Sequence, residues 1–267
     1  KAIRRNDVAV LHHKIGKKTP YEANRNIKLL SIIFNCAKEW GYLEETAINP
    51  ANGIKPFKEE ERDRYVTQEE LPNLAKAIDR EENIYVRACL WLYLLAGVRK
   101  SELLQAKWND VSIDHQELRL PDTKSGKPRY VPLSGQAIII LQSLPRFEDN
   151  PYVLPGKKKG CHLVNIDKPW RRIREVAGIK DVRLHDLRRT VGSWLGQSGS
   201  SLHLIGKVLG HSDLKTTAIY SRFAQDHVKE ALENHGKRLM GIAGKKPVAE
   251  IVGMSAKRSG KKKKART

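Results

Sequence analysis

The sequence predicts a mostly α-helical chain that carries one small three-stranded antiparallel β-sheet. Three observations predict it. Apolar residues recur at helical spacing in most segments, and helix-start signals stand in front of several of them. Strict alternation is confined to one region, between Asp110 and Leu133, where turn residues separate three short runs. The stretch Ile84 to Leu95 is apolar nearly all round, which marks a helix buried on every side.

Taken in order, residues 1–18 are polar and basic. Thr19-Pro20-Tyr21-Glu22 reads as a capping box with Pro at the first helical position. The helix it opens is expected to turn Ile27, Leu30, Ile33 and Ala37 inward and to end near Gly41. Asn49-Pro50-Ala51-Asn52-Gly53 then breaks regular structure. Lys58 to Arg64 is charged and free of apolar residues, which fits an interdomain linker or an exposed helix end. Thr67-Gln68-Glu69-Glu70 is a second capping box and starts a helix through Ile78. The apolar helix 84–95 ends at Ala96-Gly97, and Arg99 follows just before a short helix, Ser101 to Ala106. A charge placed there is either a paired structural arginine or one that binds a ligand.

The strands are expected at Asp110–Asp114, Glu117–Leu120 and Arg129–Leu133, with turns at Asp114–Gln116 and Ser125–Lys127. Lys124 lies at the mouth of the second turn. Ala137 to Leu144 reads as a helix, Lys157-Lys158-Lys159 as a basic loop, and Trp170 to Val176 as an amphipathic helix with Arg171, Arg172 and Arg174 on its polar side. Asp226 to Met240 carries a stripe of Val228, Leu232 and Leu239. From Gly244 the chain is basic and poor in apolar residues, and disorder is expected. This divides the chain into a helical segment 1–57, a linker 58–66, a larger domain 67–243 and a tail 244–267.

Composition narrows the function. The formal net charge is +20, so a polyanionic partner is the default inference. Seven of the basic residues sit in the run Met254–Thr267, and the remainder of the chain is still basic. The three cysteines, Cys36, Cys89 and Cys161, are scattered and odd in number, which argues against a disulfide framework and fits a reducing cytosol. No run approaches the ~18–20 apolar residues of a membrane span. The chain starts at Lys1 and shows no signal-peptide pattern, so a fragment of a longer chain is expected.

The chemistry concentrates between Leu184 and Tyr220. His185 and Arg188 are three apart and face one way on a helix, whose buried side is marked by Leu184, Leu187, Val191 and Trp194 or Leu195. Gly210 ends the apolar run Leu202–Leu209, so His211 lies at a helix C-terminus or turn. Tyr220 comes nine positions later, in a segment that Ser212-Asp213 can cap. Imidazoles and a guanidinium facing a phenol are what a phosphate requires if a tyrosine is to attack it.

HDLRRT, LGHSD and the final Tyr220 resemble the C-terminal signature of the tyrosine recombinases, the phage-integrase family. Upstream, AGVRKSELLQAKWNDV resembles the family's first arginine box, with Arg99, and TKSGKPRYVPL its lysine hairpin, with Lys124. The six positions occur in the family's order between Ala96 and Phe223. The resemblance implies a tyrosine-recombinase catalytic domain preceded by the last part of a truncated helical core-binding domain that clamps DNA. A plain helical hairpin without a DNA role remains the alternative for residues 1–57.

The resemblance also implies a catalytic set of Arg99, Lys124, His185, Arg188, His211 and Tyr220. Tyr220 would attack a scissile phosphodiester, form a 3′-phosphotyrosyl bond and free a 5′-hydroxyl. A second 5′-hydroxyl then rejoins the strand. The bond energy stays in the covalent link, so neither ATP nor another cofactor is expected, and no metal. Arg99 and Arg188 would clamp the non-bridging oxygens bidentately, with His211 adding a hydrogen bond. Preorganised donors of this kind contribute roughly 2.7–4 kcal/mol each. His185, whose ordinary pKa is about 6.5, would act as base toward the phenol. Lys124 would be the acid for the leaving 5′-oxygen.

The expected partner is double-stranded DNA at attachment sites. A monomer in solution and a tetramer on DNA are expected, with accessory DNA-bending or directionality proteins as candidate partners and the cytoplasmic nucleoid as the location. The expected activity is site-specific recombination that integrates or excises a phage or genomic island. The alternatives are a non-enzymatic DNA-binding relative and a type IB topoisomerase-like swivelase. The last helix would dock on a neighbouring protomer or fold back on its own.

Overall fold

The computed structural model describes residues 3–60, 62–121 and 128–243, in two compact units divided between Asp63 and Arg64. Lys124, most of its hairpin turn and the basic tail from Gly244 lie outside the described residues.

The first unit is a helical pair, α1 (Arg5–Gly16) and α2 (Pro20–Glu39). The sequence reading assigned no element to residues 1–18. The buried stripe of α1 is Val8, His12 and Gly16, with a single strongly apolar member, so periodicity did not reveal it. His12 and the buried Asn24 share a hydrogen bond of 3.1 Å. Asn24 in turn brackets Phe57, donating to its carbonyl and accepting from its amide, both at 2.9 Å.

Two expectations for α2 are corrected. Thr19 occupies the N-cap, but its side chain caps nothing; its hydroxyl donates to the Ile15 carbonyl, and Glu22 pairs with Arg25 instead. The buried positions are Ala23 and Asn24, whereas Ile27, Leu30 and Ala37 are only half-buried and Ile33 is 51% exposed. The small unit closes around His12 and Phe57, which leaves the rest of the helix's apolar face uncovered.

The second unit begins with an irregular strap, residues 64–66, and a capping turn. The Thr67 amide donates to Glu70 and the Glu70 amide to the Thr67 hydroxyl, at 3.0 and 3.4 Å. Pro72 then sits in the first turn of α3 (Leu71–Asp79). Helix α4 (Ile84–Ala96) is the central strut. The Asn83 side chain caps its start and Gly97, at φ +58°, ends it. Leu90, Leu92 and Tyr93 are almost wholly buried within it. After α5 (Lys100–Leu104) and a 3-10 turn come β1 (Val111–Ser112), β2 (Glu117–Leu120) and β3 (Arg129–Pro132), antiparallel in the order β1-β2-β3. Leu118 pairs with Val111 on one side and Val131 on the other, burying one face of the sheet.

Helices α6 (Gly135–Ser143), α7 (Asp167–Val176), α8 (Leu184–Gln197) and α9 (Leu202–Leu209) follow, then α10 (Leu214–Thr217), a 3-10 helix (Ala218–Ala224) and α11 (Gln225–Ile242). The main core joins α3, α4, α6 and α7 with the sheet and Leu187 of α8. A second cluster holds Ile205, Leu209 and Tyr220, with Val191, Leu195 and Phe223 around it. On α11, Val228, Leu232 and Leu239 are 55%, 65% and 54% exposed, so the stripe does not fold back onto its own unit. No described helix is long and apolar enough to cross a membrane.

Candidate active site

The site lies where the C-terminal ends of α4 and α9 meet the first turns of α8. Helix ends leave carbonyls without partners, and here guanidiniums take them. Arg188, 3% exposed, donates through one terminal nitrogen to the Gly97 carbonyl at 2.5 Å and through the other to the Leu209 carbonyl. Arg99 donates to the Gly210 carbonyl at 2.9 Å and pairs with Glu102 at 2.7 Å. Both arginines are thus anchored to backbone, and each terminal nitrogen keeps a second N–H.

Glu102 organises the cluster. It accepts from the Arg99 amide at 2.9 Å, which caps α5, and it also pairs with Arg129 of β3 at 3.3 Å. Burial works against its charge. The Arg99 amide and guanidinium, with Arg129, outweigh that and hold its carboxyl below the usual range. Arg129 also donates to the Val208 carbonyl at 3.1 Å, while its Nε is buried without a partner. Gly210 permits this approach, because a Cβ there would lie 2.3 Å from the Arg129 guanidinium carbon. Its φ of +64° also favours glycine.

Packed cations in a desolvated site alter one another's protonation. Burial, then Arg99, pulls the Arg188 pKa down to about 10, so it stays charged near neutrality. Burial first, then Arg188, Arg99 and Arg129, lowers His211 to about 4. His211 is therefore neutral at pH 7. Its Nδ1 shares a 2.9 Å hydrogen bond with the fully buried Thr217 hydroxyl, which orients the ring and leaves Nε2 toward other partners.

His185 sits in the first turn of α8. Its helical spacing to Arg188 holds, but the two differ in burial: His185 is exposed and Arg188 is buried. Desolvation on its covered side, then Arg188 and Arg189, lowers its pKa, so it too is a neutral acceptor. The α8 start is fixed by Asp186, which accepts from the Arg183 amide at 2.8 Å. The buried face of α8 is wider than the apolar pattern implied and includes Asp186, Arg188, Thr190 and Ser193.

Tyr220 lies on the 3-10 helix and is 3% exposed. Its ring rests on the α8 backbone at Gly192, where a Cβ would come 2.3 Å from Cζ and 2.7 Å from the hydroxyl oxygen. Gly192 is one turn beyond Arg188. Burial raises the phenol pKa, and Arg188 and Arg189 oppose the rise.

The structure thus brings Arg99, Arg188 and His211 together, with His185 at the rim and Tyr220 one helical turn away. Lys124 lies outside the described residues. Sequence reasoning missed Glu102, Arg129 and Thr217 as site residues. Glu102 carried a signal, a carboxylate three residues after Arg99 at a helix start. Arg129 carried none, since it is placed by contacts distant in sequence, and Thr217, six residues after His211, carried none in its residue type. Among the described residues no group of three or more His, Cys, Asp or Glu is arranged to hold a metal ion.

The unit gathers three arginines, one of them buried, at helix ends, with a buried tyrosine one helical turn away. Comparison with known proteins specifies the class. The sequence model of the phage integrase family matches residues 64–227. The chain is 30% identical over 174 residues to the tyrosine recombinase XerA of Pyrococcus furiosus, covering 63% of this chain and 60% of that protein. It is 30% identical over 214 residues to a tyrosine recombinase of Thermosipho africanus, covering 79% of this chain and 74% of that one. The crystal structure of a lambda integrase(75-356) dimer bound to a COC' core site superimposes with a TM-score of 0.63 at 17% identity, covering 82% of this chain and 79% of that one, a likeness of fold. The chain belongs to the phage integrase family. The match spans less than two thirds of the length of the Pyrococcus relative.

Proposed function

We propose that this protein is a site-specific DNA recombinase that cleaves and rejoins DNA through a 3′-phosphotyrosyl intermediate at Tyr220. One observation carries the reading. Arg99 and Arg188 converge on the carbonyls of Gly97, Leu209 and Gly210, next to His211, and the Tyr220 ring lies on Gly192, one helical turn from Arg188. The anchored guanidiniums would offer their remaining N–H groups to the non-bridging oxygens of a phosphodiester and oppose the charge that builds on phosphorus. Neutral His211 would donate to the same oxygens if its proton sits on Nε2. Neutral His185 would receive the phenol proton as Tyr220 attacks. Lys124 would deliver a proton to the leaving 5′-oxygen.

The substrate is double-stranded DNA at attachment sites of a phage or genomic island. The family membership and the basic charge support this. The protein acts as a monomer off DNA and as a tetramer on it, with accessory DNA-bending or directionality proteins, in the cytoplasmic nucleoid. Residues 1–57 belong to the core-binding domain, 58–66 to the linker and 67–243 to the catalytic domain. The exposed stripe of α11 suits docking on a neighbouring protomer. Incubation with a nicked attachment-site DNA and a denaturing gel test the reading. The wild type should form a covalent protein–DNA adduct, and Tyr220→Phe should bind DNA equally well and form none. An adduct with the Phe variant would show that the nucleophile is another residue.

A further inference from the structure

The strap that opens the second unit is bonded along one helix, and that helix also seats the tyrosine. The Arg64 guanidinium is fixed between Glu70 and Asp181, at 2.5 and 2.6 Å. The Val66 amide donates to the Thr190 hydroxyl at 2.9 Å, and the Trp194 indole donates to the Val66 carbonyl at 3.0 Å. The Gln197 amide donates to the Tyr65 hydroxyl at 3.1 Å. Residues 190, 194 and 197 form one stripe of α8. Tyr65 and Val66 are therefore registered against the helix that carries His185 and Arg188.

Gly192 and Gly196, one turn apart, form a second, flat stripe on α8. Tyr220 lies over Gly192, and a Cβ at Gly196 would meet the Phe223 side chain at 3.3 Å. Tyr220 and Phe223 are three apart on the 3-10 helix, so both seats are filled by one short rigid piece. The Tyr65 ring closes against this piece from the strap, edge-to-face with Phe223 at a centroid distance of 5.6 Å and an interplanar angle of 89°. The Arg222 guanidinium lies over the Phe223 ring, 4.5 Å from its centroid.

We propose that Tyr65 is a positioning residue for the nucleophile, holding the segment of residues 218–224 on the glycine stripe of α8 through Phe223. Its ring pairs with Phe223 and its hydroxyl accepts from Gln197. Its effect reaches the phenol through three residues of 3-10 helix. Edge-to-face pairing needs the ring and not the hydroxyl, so Tyr65→Phe should preserve the function and Tyr65→Ala should lose it. The catalytic consequence rests on the proposed role of Tyr220, while the structural consequence does not.

Two measurements on the full chain separate these. Hydrogen exchange of residues 218–224 needs no DNA. Tyr65→Ala should raise exchange there and leave α4 unchanged, and Tyr65→Phe should match the wild type. The second measurement is the rate of adduct formation. Tyr65→Ala and Phe223→Ala should each be slowed about three- to tenfold at unchanged DNA affinity, the range an aromatic pair supplies. The double variant should be no slower than the slower single one, because both remove the same contact. Unchanged exchange at 218–224 in Tyr65→Ala, or additive losses in the double variant, would overturn the proposal. If the wild type forms no adduct, the recombinase reading fails, while the exchange result still decides whether Tyr65 holds the segment.

Discussion

Gly192→Ala sets two local effects against each other, and their signs differ. In a helix interior alanine is favoured over glycine by roughly 0.5–1 kcal/mol, because glycine loses more backbone freedom on folding. Taken alone, that predicts a more stable protein. The new methyl group, however, would lie 2.3 Å from Tyr220 Cζ, 2.7 Å from Cε1 and 2.7 Å from the hydroxyl oxygen. A ring 3% exposed and packed with Ile205 and Leu209 has little room to move aside. Overpacking of this kind costs about 1–3 kcal/mol, which equals or exceeds the propensity gain and leaves a net cost of up to about 2.5 kcal/mol. At about 2–4 °C per kcal/mol for a unit of this size, the melting temperature should fall by up to about 10 °C. Gly236→Ala on α11 is the control. Nothing lies within 4 Å of a Cβ there, so it should be neutral or stabilising. Adduct formation should fall further than stability does, since a 1 Å displacement of a reacting group can cost about 10²-fold. Thermal unfolding and the denaturing gel read the two effects separately. If Gly192→Ala melts at or above the wild-type temperature and forms adduct at the wild-type rate, the seating of Tyr220 on α8 is wrong.

Glu102→Gln should destabilise the protein by about 1.5–3 kcal/mol in urea titration, because Arg99 and Arg129 lose their shared charged acceptor while keeping their carbonyl partners. Since the Glu102 pKa is depressed by folding, its contribution is present above the ordinary carboxylate value of 4.5 and is lost as pH falls through the folded value. The variant should therefore lose less stability on acidification than the wild type. His211 acts with the same sign by a different cause. Its folded pKa of about 4 lies below the ordinary 6.5, so the unfolded chain takes up the proton first and stability declines as pH falls through that window. Nitrogen-detected NMR should show His211 neutral at pH 5.5, and a protonated ring there would contradict the packed-arginine account. Lys124→Ala should cleave ordinary DNA about 10²–10⁴-fold slowly. It should recover most of that on DNA with sulfur at the scissile 5′ position, because a thiol with a pKa near about 8.5 leaves without a proton. Arg188→Ala should not recover. Equal slowness of Lys124→Ala on both substrates would remove Lys124 from the role of acid.

Elements whose signals are local were legible without a structure. The apolar run 84–95 became a buried strut ended by Gly97 in the left-handed region, and the reciprocal Thr67–Glu70 pair formed as the spacing implied. The three strands appeared within two residues of their expected ends, because alternation and turn residues are both short-range properties. The clusters around Arg99, His185, Arg188, His211 and Tyr220 were likewise visible, since each is marked by its immediate neighbours. Helix α1 was not legible, because its buried stripe includes a histidine and a glycine that bury only in the company of Asn24 and Phe57. Thr19 carried a capping signature that nothing nearby could distinguish from a working one, and the actual partner of its hydroxyl is a carbonyl of the preceding helix. Arg129 joined the site only through contacts distant in sequence, such as the one to Val208, 79 positions away. Residue type and helical period determine which groups are available and on which face. Which charges become neighbours, and so which histidine turns neutral and which tyrosine is buried on a glycine, is decided when distant segments share one desolvated space.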